Sequence, residues 1–559
     1  MYQSIENLNI ERHFLTLQTR QVHYRIAGKG PPLLVLHQSP TSSAEMASTI
    51  EYFANEFTVI APDTPGFGLS DYIEGMDPDI TQYAEAVKEF VDALGLDKLC
   101  IYGFHTGAII GAEMARLYPD LCLAVVVNGL FVEEKDEVDR ILEHYTKWYK
   151  PTQEGTQMPW IWSRLRDQII FFPWFSKEKK YRMSLDLPDP ELKQPFVLDL
   201  MRTSEEAQTA YKAAFLYPAK ERIQEMMTPT FLLNYKGDPL GEHPQRLESV
   251  PDCVHIELLD NPQAVEERAQ EIFLQFSNTT ATLSEPKIVN QELRLLKGYA
   301  YTSLGPVFYR SETGDENTQT VIFLHDYAAS SNATIEISEC LEGRHRKIFI
   351  DLPGHGETGS THLKDYRPQS IATMLAEGLA QLDLESISVV AMGVSSSIAA
   401  ALSLSKTIQV EQLILIDPWY LDPAEMKSLP ERYAPDLIPS TYGEHLLRGW
   451  YFVRDSELYF PWYDTKNANA LKREADIDPQ RIHDRAVDAL KAGVGLTLVA
   501  RDLIGYDIEE LLQKITVSTK LYAWQGNGRE QFTERVHQTV ENSTLEFLPE
   551  NRLDWLIRL

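Results

Sequence analysis

The sequence predicts an α/β protein built twice: two tandem domains, each a mainly parallel, doubly wound sheet with a helical cap. Three observations carry this. First, short apolar runs alternate with longer amphipathic segments. In the first half Leu33–Leu36, Val59–Ile60, Leu99–Tyr102, Ala124–Val127 and Phe231–Leu233 read as strands, and "DITQYAEAVKEFVDALGL" and "TGAIIGAEMARLYP" read as helices. Strands apolar on both faces and separated by helices imply a parallel sheet covered on both sides. Second, the chain repeats itself. "LLVLHQS" at Leu33 recurs as "VIFLHDY" at Val321, "VIAPDTPGFGLS" at Val59 as "IFIDLPGHGETG" at Ile348, and "CIYGFHTGAIIGAE" at Cys100 as "VVAMGVSSSIAAAL" at Val389. Third, "IYGFHTGAII" from Ile101 reads as a buried strand, a tight turn and a helix.

The repeat sets the expected domain limits. The first domain is 1–276, with a mainly helical, aromatic-rich cap over about 131–227. A polar linker over 277–292 follows ("SNTTATLSEPKIVN" from Ser277), and the second domain is 293–559, with its cap over about 419–515. The caps match in detail: "RDQIIFFPWF" at Arg166 recurs as "RDSELYFPWY" at Arg454.

Composition narrows the function. A net charge of −30 repels phosphate backbones and anionic lipid, so neither nucleic acid nor a membrane surface is expected as a partner. Cys100, Cys122, Cys253 and Cys340 are scattered, which suggests neither a disulfide framework nor a zinc site. The N-terminal stretch has no signal-peptide pattern and no apolar run is long enough to span a membrane, so a cytoplasmic protein is expected. There is no P-loop and no G-x-G-x-x-G after a strand; no metal and no cofactor are expected.

With these residues in view, both halves resemble the α/β-hydrolase family over nearly the whole chain. The family pattern is a histidine after an early strand, then D-x-P-G-x-G, then a G-x-S-x-G nucleophile elbow, a cap, an acid and a late histidine. The loops at Asp63 and Asp351 match well. The resemblance implies a site under the cap, at the C-terminal ends of the strands.

At the elbow the first copy reads Gly103-Phe104-His105-Thr106-Gly107, with histidine where the family has serine. The flanking glycines relieve backbone crowding, and the Thr106 amide is placed to serve an oxyanion hole. The second amide is expected from Gln38, next to His37. Asp238 matches the family acid in "NYKGDPL", while no late histidine stands near Asp260-Asn261-Pro262. These positions suggest a His105–Asp238 dyad, direct or water-bridged, in which the carboxylate orients an imidazole able to act as base or nucleophile. His243 is the alternative base. In the cap, Trp160, Phe172 and Trp174 wall either an apolar pocket or the cap's own core, and Arg166 serves either a substrate carboxylate or a local ion pair.

The second copy reads as degenerate. Ser395 is placed at the nucleophile position, Asp417 as an alternative acid and Arg529 where the acid usually stands; no histidine lies near Glu550-Asn551-Arg552. A serine without a base is a weak nucleophile, so this half is expected to be silent and to form a pseudo-dimer with the first. The expected function is hydrolysis of an ester, lactone or related carbonyl compound, with an apolar small-molecule substrate and His105 in place of serine. The alternatives are a non-hydrolytic lyase, isomerase or cyclase, and a ligand-binding or scaffold protein without activity.

Overall fold

The computed structural model describes residues 10–75, 77–145, 147–203, 208–277, 293–312, 318–384 and 386–549. The expected linker lies outside these residues except for Ser277, as does the segment from Glu550 onward. Two compact units result: Met1–Lys150 with Trp160–Leu293, and Pro151–Pro159 with Arg294–Leu559.

Each unit is built on one eight-stranded sheet. The first comprises β1 (Glu11–Thr16), β2 (Gln21–Ala27), β3 (Pro32–Leu36), β4 (Thr58–Pro62), β5 (Leu99–Phe104), β6 (Cys122–Asn128), β7 (Thr230–Tyr235) and β8 (Val254–Leu259). The second comprises β9 (Leu295–Thr302), β10 (Gly305–Glu312), β11 (Thr320–Leu324), β12 (Arg346–Ile350), β13 (Ser386–Met392), β14 (Gln409–Ile416), β15 (Ser518–Trp524) and β16 (Ser543–Leu548). The orders are β1-β2-β4-β3-β5-β6-β7-β8 and β9-β10-β12-β11-β13-β14-β15-β16, the same topology twice. β2 and β10 run antiparallel to both neighbours, and β3 to β8 are mutually parallel, as are β11 to β16. Even a local irregularity repeats: the ladder shifts register between Leu99 and Cys100, and again between Ile387 and Ser388.

The period-2 geometry of a strand explains the two-sided core. In the first sheet Leu34, Leu36, Ile101, Val125 and Leu232 pack on one face with Ile109 and Phe90, while Leu33, Val35, Tyr102, Val126 and Leu233 pack on the other with Phe53 and Phe273. Every residue of β3 and β4 is buried. Each such Leu, Val or Ile contributes about 1.5–3 kcal/mol on burial, which selects the long apolar runs visible in the sequence. Between β6 and β7 lie the cap helices Lys135–Tyr145, Gln157–Ile170, Pro190–Arg202, Gln208–Phe215 and Ala219–Gln224. Helices stand likewise between β14 and β15. A small β-bridge, Phe171 with Arg182, recurs in the second unit as Tyr459 with Ala470.

The glycine-rich loops are pins. Asp63 accepts from the Ser43 amide at 2.8 Å and the Leu69 amide at 2.9 Å, and a β-carbon on Gly68 would stand 2.0 Å from its carboxylate. Asp351 accepts from the Ser331 amide at 2.7 Å, and a β-carbon on Gly356 would stand 2.1 Å away. No helix of the described residues is long and apolar enough to cross a membrane.

Candidate active site

β5 ends at Phe104 and the helix Thr106–Leu117 follows, so His105 alone makes the turn. Its backbone sits at φ 46°, ψ −109°. A residue with a β-carbon is strained there, by about 1–3 kcal/mol, and such strain clusters at functional sites. The turn is tight: a β-carbon on Gly103 would lie 2.4 Å from the Gly107 carbonyl, and one on Gly107 would lie 2.3 Å from that of Leu36. The His105 amide donates to the Asn128 carbonyl at 2.8 Å, tying the turn to β6.

The imidazole points at the loop after β7. Its Nε2 meets Asp238 Oδ2 at 2.9 Å, a direct contact. The other carboxylate oxygen accepts from the Leu240 amide at 2.7 Å. Gly129 makes room for the ring, since a β-carbon there would stand 2.2 Å from His105 Cδ2. Asn234 braces both sides: its Oδ1 accepts from the Gly129 amide at 3.0 Å, and its Nδ2 donates to the carbonyls of Leu240 and Gly241 at 3.2 Å. Burial opposes charge on the ring, but the charge and hydrogen bond of Asp238, helped by Glu45, outweigh it and raise the imidazole above its ordinary 6.5. Asp238 is lowered against its own burial by the same partner. Nδ1 takes no hydrogen bond among the described residues, and the side chain is 21% exposed.

Sequence reasoning missed Glu45. It accepts from Gln38 Nε2 at 2.5 Å and from the Thr41 hydroxyl. Burial pushes its carboxyl up to about 7, and it stands close enough to His105 for each to feel the other's charge. In the sequence it was one acid ahead of a helix, where carboxylates are common for other reasons.

His37 is a strut. Its Nδ1 donates to the Gln38 carbonyl at 2.7 Å and its Nε2 accepts from the Thr64 amide at 2.8 Å, so both nitrogens are used. His325 makes the same two bonds, to the Asp326 carbonyl at 2.8 Å and from the Leu352 amide at 2.9 Å. His243, the other histidine near Asp238, is brought down to about 4 by burial, and its Nδ1 accepts from the Val132 amide at 3.3 Å. Where a late histidine was sought, Asn261 caps a helix through the Ala264 amide at 2.9 Å and Asp260 pairs with Lys236 at 2.5 Å.

The second unit corrects the sequence alignment. The Gly393 amide donates to Ile416 at 2.9 Å as that of His105 does to Asn128, so Gly393, at φ 57°, holds the turn. Ser395 lies two residues on, opposite Gly107. It is fully buried in the first turn of its helix, with its hydroxyl bonded to the carbonyls of Leu324 at 3.1 Å and Met392 at 2.9 Å, and is no nucleophile. The strand ladders also place Asn527, not Arg529, opposite Asp238: its amide donates to Trp524 as that of Asp238 does to Tyr235. Asp417 stands opposite Gly129. Its carboxylate accepts from the Trp524 amide at 2.9 Å and from Asn527 Nδ2.

A second carboxylate fills the space over Gly393. Asp326 Oδ1 accepts from the amides of Tyr327 at 2.7 Å and Val394 at 2.9 Å, and a β-carbon on Gly393 would lie 2.0 Å from it. Arg529 bridges Asp326 and Asp417, 3.4 Å from each. The amides that converge on this one oxygen correspond in the first unit to those of Ser39 and Thr106. Among these positions the counterpart of Tyr327 is Ser39, one residue beyond Gln38. The Ser39 amide donates to the Thr106 hydroxyl at 3.4 Å, and the Gln38 side chain holds Glu45.

In the cap, Trp174 packs against Trp160 at 6.5 Å and Tyr145 at 6.2 Å, ring centre to ring centre, and Phe172, Trp174 and Phe175 lean on the core below. Arg166 is half-buried beside Lys193, and its neighbour Asp167 pairs with Lys177 at 2.5 Å. Among the described residues no group of three or more His, Cys, Asp or Glu is arranged to hold a metal ion.

Residues 31–155 match the family model for the alpha/beta hydrolase fold. The chain is 31% identical over 150 residues to an uncharacterized hydrolase of Saccharomyces cerevisiae, covering 25% of this chain and 52% of that one. It is 36% identical over 109 residues to haloalkane dehalogenase 2 of Mycobacterium tuberculosis, covering 20% and 38%. The chain thus spans about half or less of the length of these relatives. Among solved structures it is similar to the epoxide hydrolase CorEH, at 22% identity and a TM-score of 0.38, over 48% of this chain and 99% of that one. The chain is a tandem of two domains of the α/β-hydrolase fold.

Proposed function

We propose that this chain is a cofactor-independent hydrolase of an ester, lactone or related carbonyl compound, working in its first domain. The observation that carries this reading is the 2.9 Å contact between His105, at a strained strand-to-helix turn, and the buried Asp238. With Nε2–H donated to Asp238, the neutral ring presents the Nδ1 lone pair. Nδ1 takes a proton from water as the water oxygen attacks the carbonyl carbon. The oxyanion so formed is held by the amides of Thr106 and Ser39, the pair whose counterparts in the second domain grip Asp326. The imidazolium, stabilised by Asp238, then returns its proton to the departing oxygen. His105 acts here as base, with water as nucleophile.

Glu45 favours a second reading. A carboxyl that titrates near 7 beside the imidazole could exchange a proton with an enolate, which suits a lyase or isomerase of the same site. A panel of activated esters, lactones and enolisable ketones separates the two. Water incorporation into product, lost in His105→Ala, supports hydrolysis, whereas solvent deuterium exchange next to the carbonyl without cleavage favours the second. Wild-type turnover in His105→Ala would reject both.

A further inference from the structure

Arg164, in the cap helix Gln157–Ile170, is only 4% exposed, yet it forms no ion pair with any carboxylate among the described residues. Its Nη1 donates to Gln168 Oε1, and its guanidinium lies against the Tyr211 hydroxyl. The guanidinium carbon lies 4.3 Å from the centre of the Trp174 ring and 5.2 Å from that of Tyr145. Two more donors are buried around the same rings. Tyr211 is 5% exposed and packs 5.3 Å from Tyr145, with its hydroxyl set beside Arg164 and Gln168, and among the described residues the Trp174 Nε1 has no hydrogen-bond partner. A buried cation without a counter-ion is costly, as is each buried donor left unmade.

The second domain shows that the fold does not need this arrangement. The offset that equates Phe171 with Tyr459 puts Phe452 in the place of Arg164. Phe452 packs edge-on at 5.1 Å against Trp462, the counterpart of Trp174, and the Trp462 Nε1 donates to the Tyr433 carbonyl at 2.8 Å. So the domain whose turn carries glycine packs this part of its cap with an apolar side chain and satisfies its tryptophan. The domain with the His105–Asp238 pair keeps a guanidinium and, among the described residues, an indole N–H without a partner.

We infer that Arg164, Tyr211 and Trp174 form a subsite for a carboxylate on the substrate. The inference rests on the hydrolase reading for the identity of the reacting group, not for the anion. Arg supplies a planar fork that suits a carboxylate, and the hydroxyl and indole N–H add two neutral donors. Glu45 lies within electrostatic reach of both Tyr211 and His105, which connects the subsite to the reacting end. The substrate class is then a carbonyl compound carrying a separate carboxylate, with apolar surface between the two.

The test uses phenylacetate and its neutral counterpart phenylacetamide, titrated calorimetrically into the full chain as wild type, Arg164→Met and His105→Ala. The expected result is that wild type and His105→Ala bind the acid at least tenfold more tightly than the amide, and that Arg164→Met loses this preference. The unliganded Arg164→Met protein should melt no lower than wild type, because it buries no unpaired charge. Equal affinity for acid and amide, no binding of either, a preference that survives in Arg164→Met or one that vanishes in His105→Ala would overturn the assignment. Turnover plays no part in this readout, so failure of the hydrolase reading leaves it intact and failure of the subsite leaves that reading intact.

Discussion

The two turns that follow β5 and β13 have the same backbone course and opposite contents. In the first, a strained histidine reaches a buried aspartate, and glycine at 129 clears the space for its ring. In the second, glycine makes the turn, and carboxylates enter from the positions of Gln38 and Gly129, as Asp326 and Asp417, with Arg529 between them. Among the described residues, the first arrangement leaves an imidazole nitrogen without a hydrogen bond beside an amide pair. The second closes that amide pair on its own side chain. Removing the side chain from a turn invites the neighbours to fill the gap, because an unfilled polar pocket leaves buried donors unsatisfied.

The largest effect should come from breaking the polarity of the first site. Asp238→Asn keeps the shape but removes the charge that raises the imidazole, and should lower kcat/KM by about 10²–10⁴-fold. In wild type kcat/KM should rise with pH through a limb above 6.5, since the neutral ring is the base, and in the variant that limb should move to lower pH. The sign for stability follows from the two shifts. The raised His105 stabilises fully below 6.5 and loses its contribution as pH climbs through its native value. The lowered Asp238 stabilises fully above 3.8 and loses its contribution as pH falls through its native value. The wild-type advantage in Tm over Asp238→Asn should therefore be greatest between those limits.

Next in size, Gly129→Ala should displace the His105 ring, since the new methyl would stand 2.2 Å from it at a backbone φ of 87°. A tenfold or greater loss of kcat is expected, with a smaller change in KM. Third, Arg529→Met should cost about 2 kcal/mol in urea unfolding, because it leaves two carboxylates facing each other, yet leave turnover unchanged. A loss of activity there would mean the second domain contributes to the reaction. Smallest, Glu45→Gln should change the pH dependence of Tm. A carboxyl of ordinary value 4.5 that burial raises to about 7 loses stability as pH rises between those values, so the variant should gain on wild type above pH 7 and not below pH 4.

The fold was legible because burial on both faces writes itself into strands as unbroken apolar runs, as at Leu33–Leu36 and Ala124–Val127. Edge strands lack that signature. β8 exposes His255 and Ile256, and β1 exposes Glu11, so neither stood out. His105 and Asp238 could be read because their surroundings are local: two crowded glycines and a short loop after a strand. The second site could not. Matching Gly393 to Gly103 by residue type put Ser395 at the turn, whereas the hydrogen bonds of β13 and β14 put Gly393 there. Glu45 and Arg164 stayed hidden for a further reason. Their environments depend on burial and on partners distant in sequence, which residue spacing does not encode.

The most direct measurement is kcat/KM on a responsive ester or lactone, compared between His105→Ala and Arg529→Met under one set of conditions. A loss of at least 100-fold in the first and a value within threefold of wild type in the second are predicted. Full turnover in His105→Ala, or collapse in Arg529→Met alone, would contradict the assignment of the chemistry to the first domain.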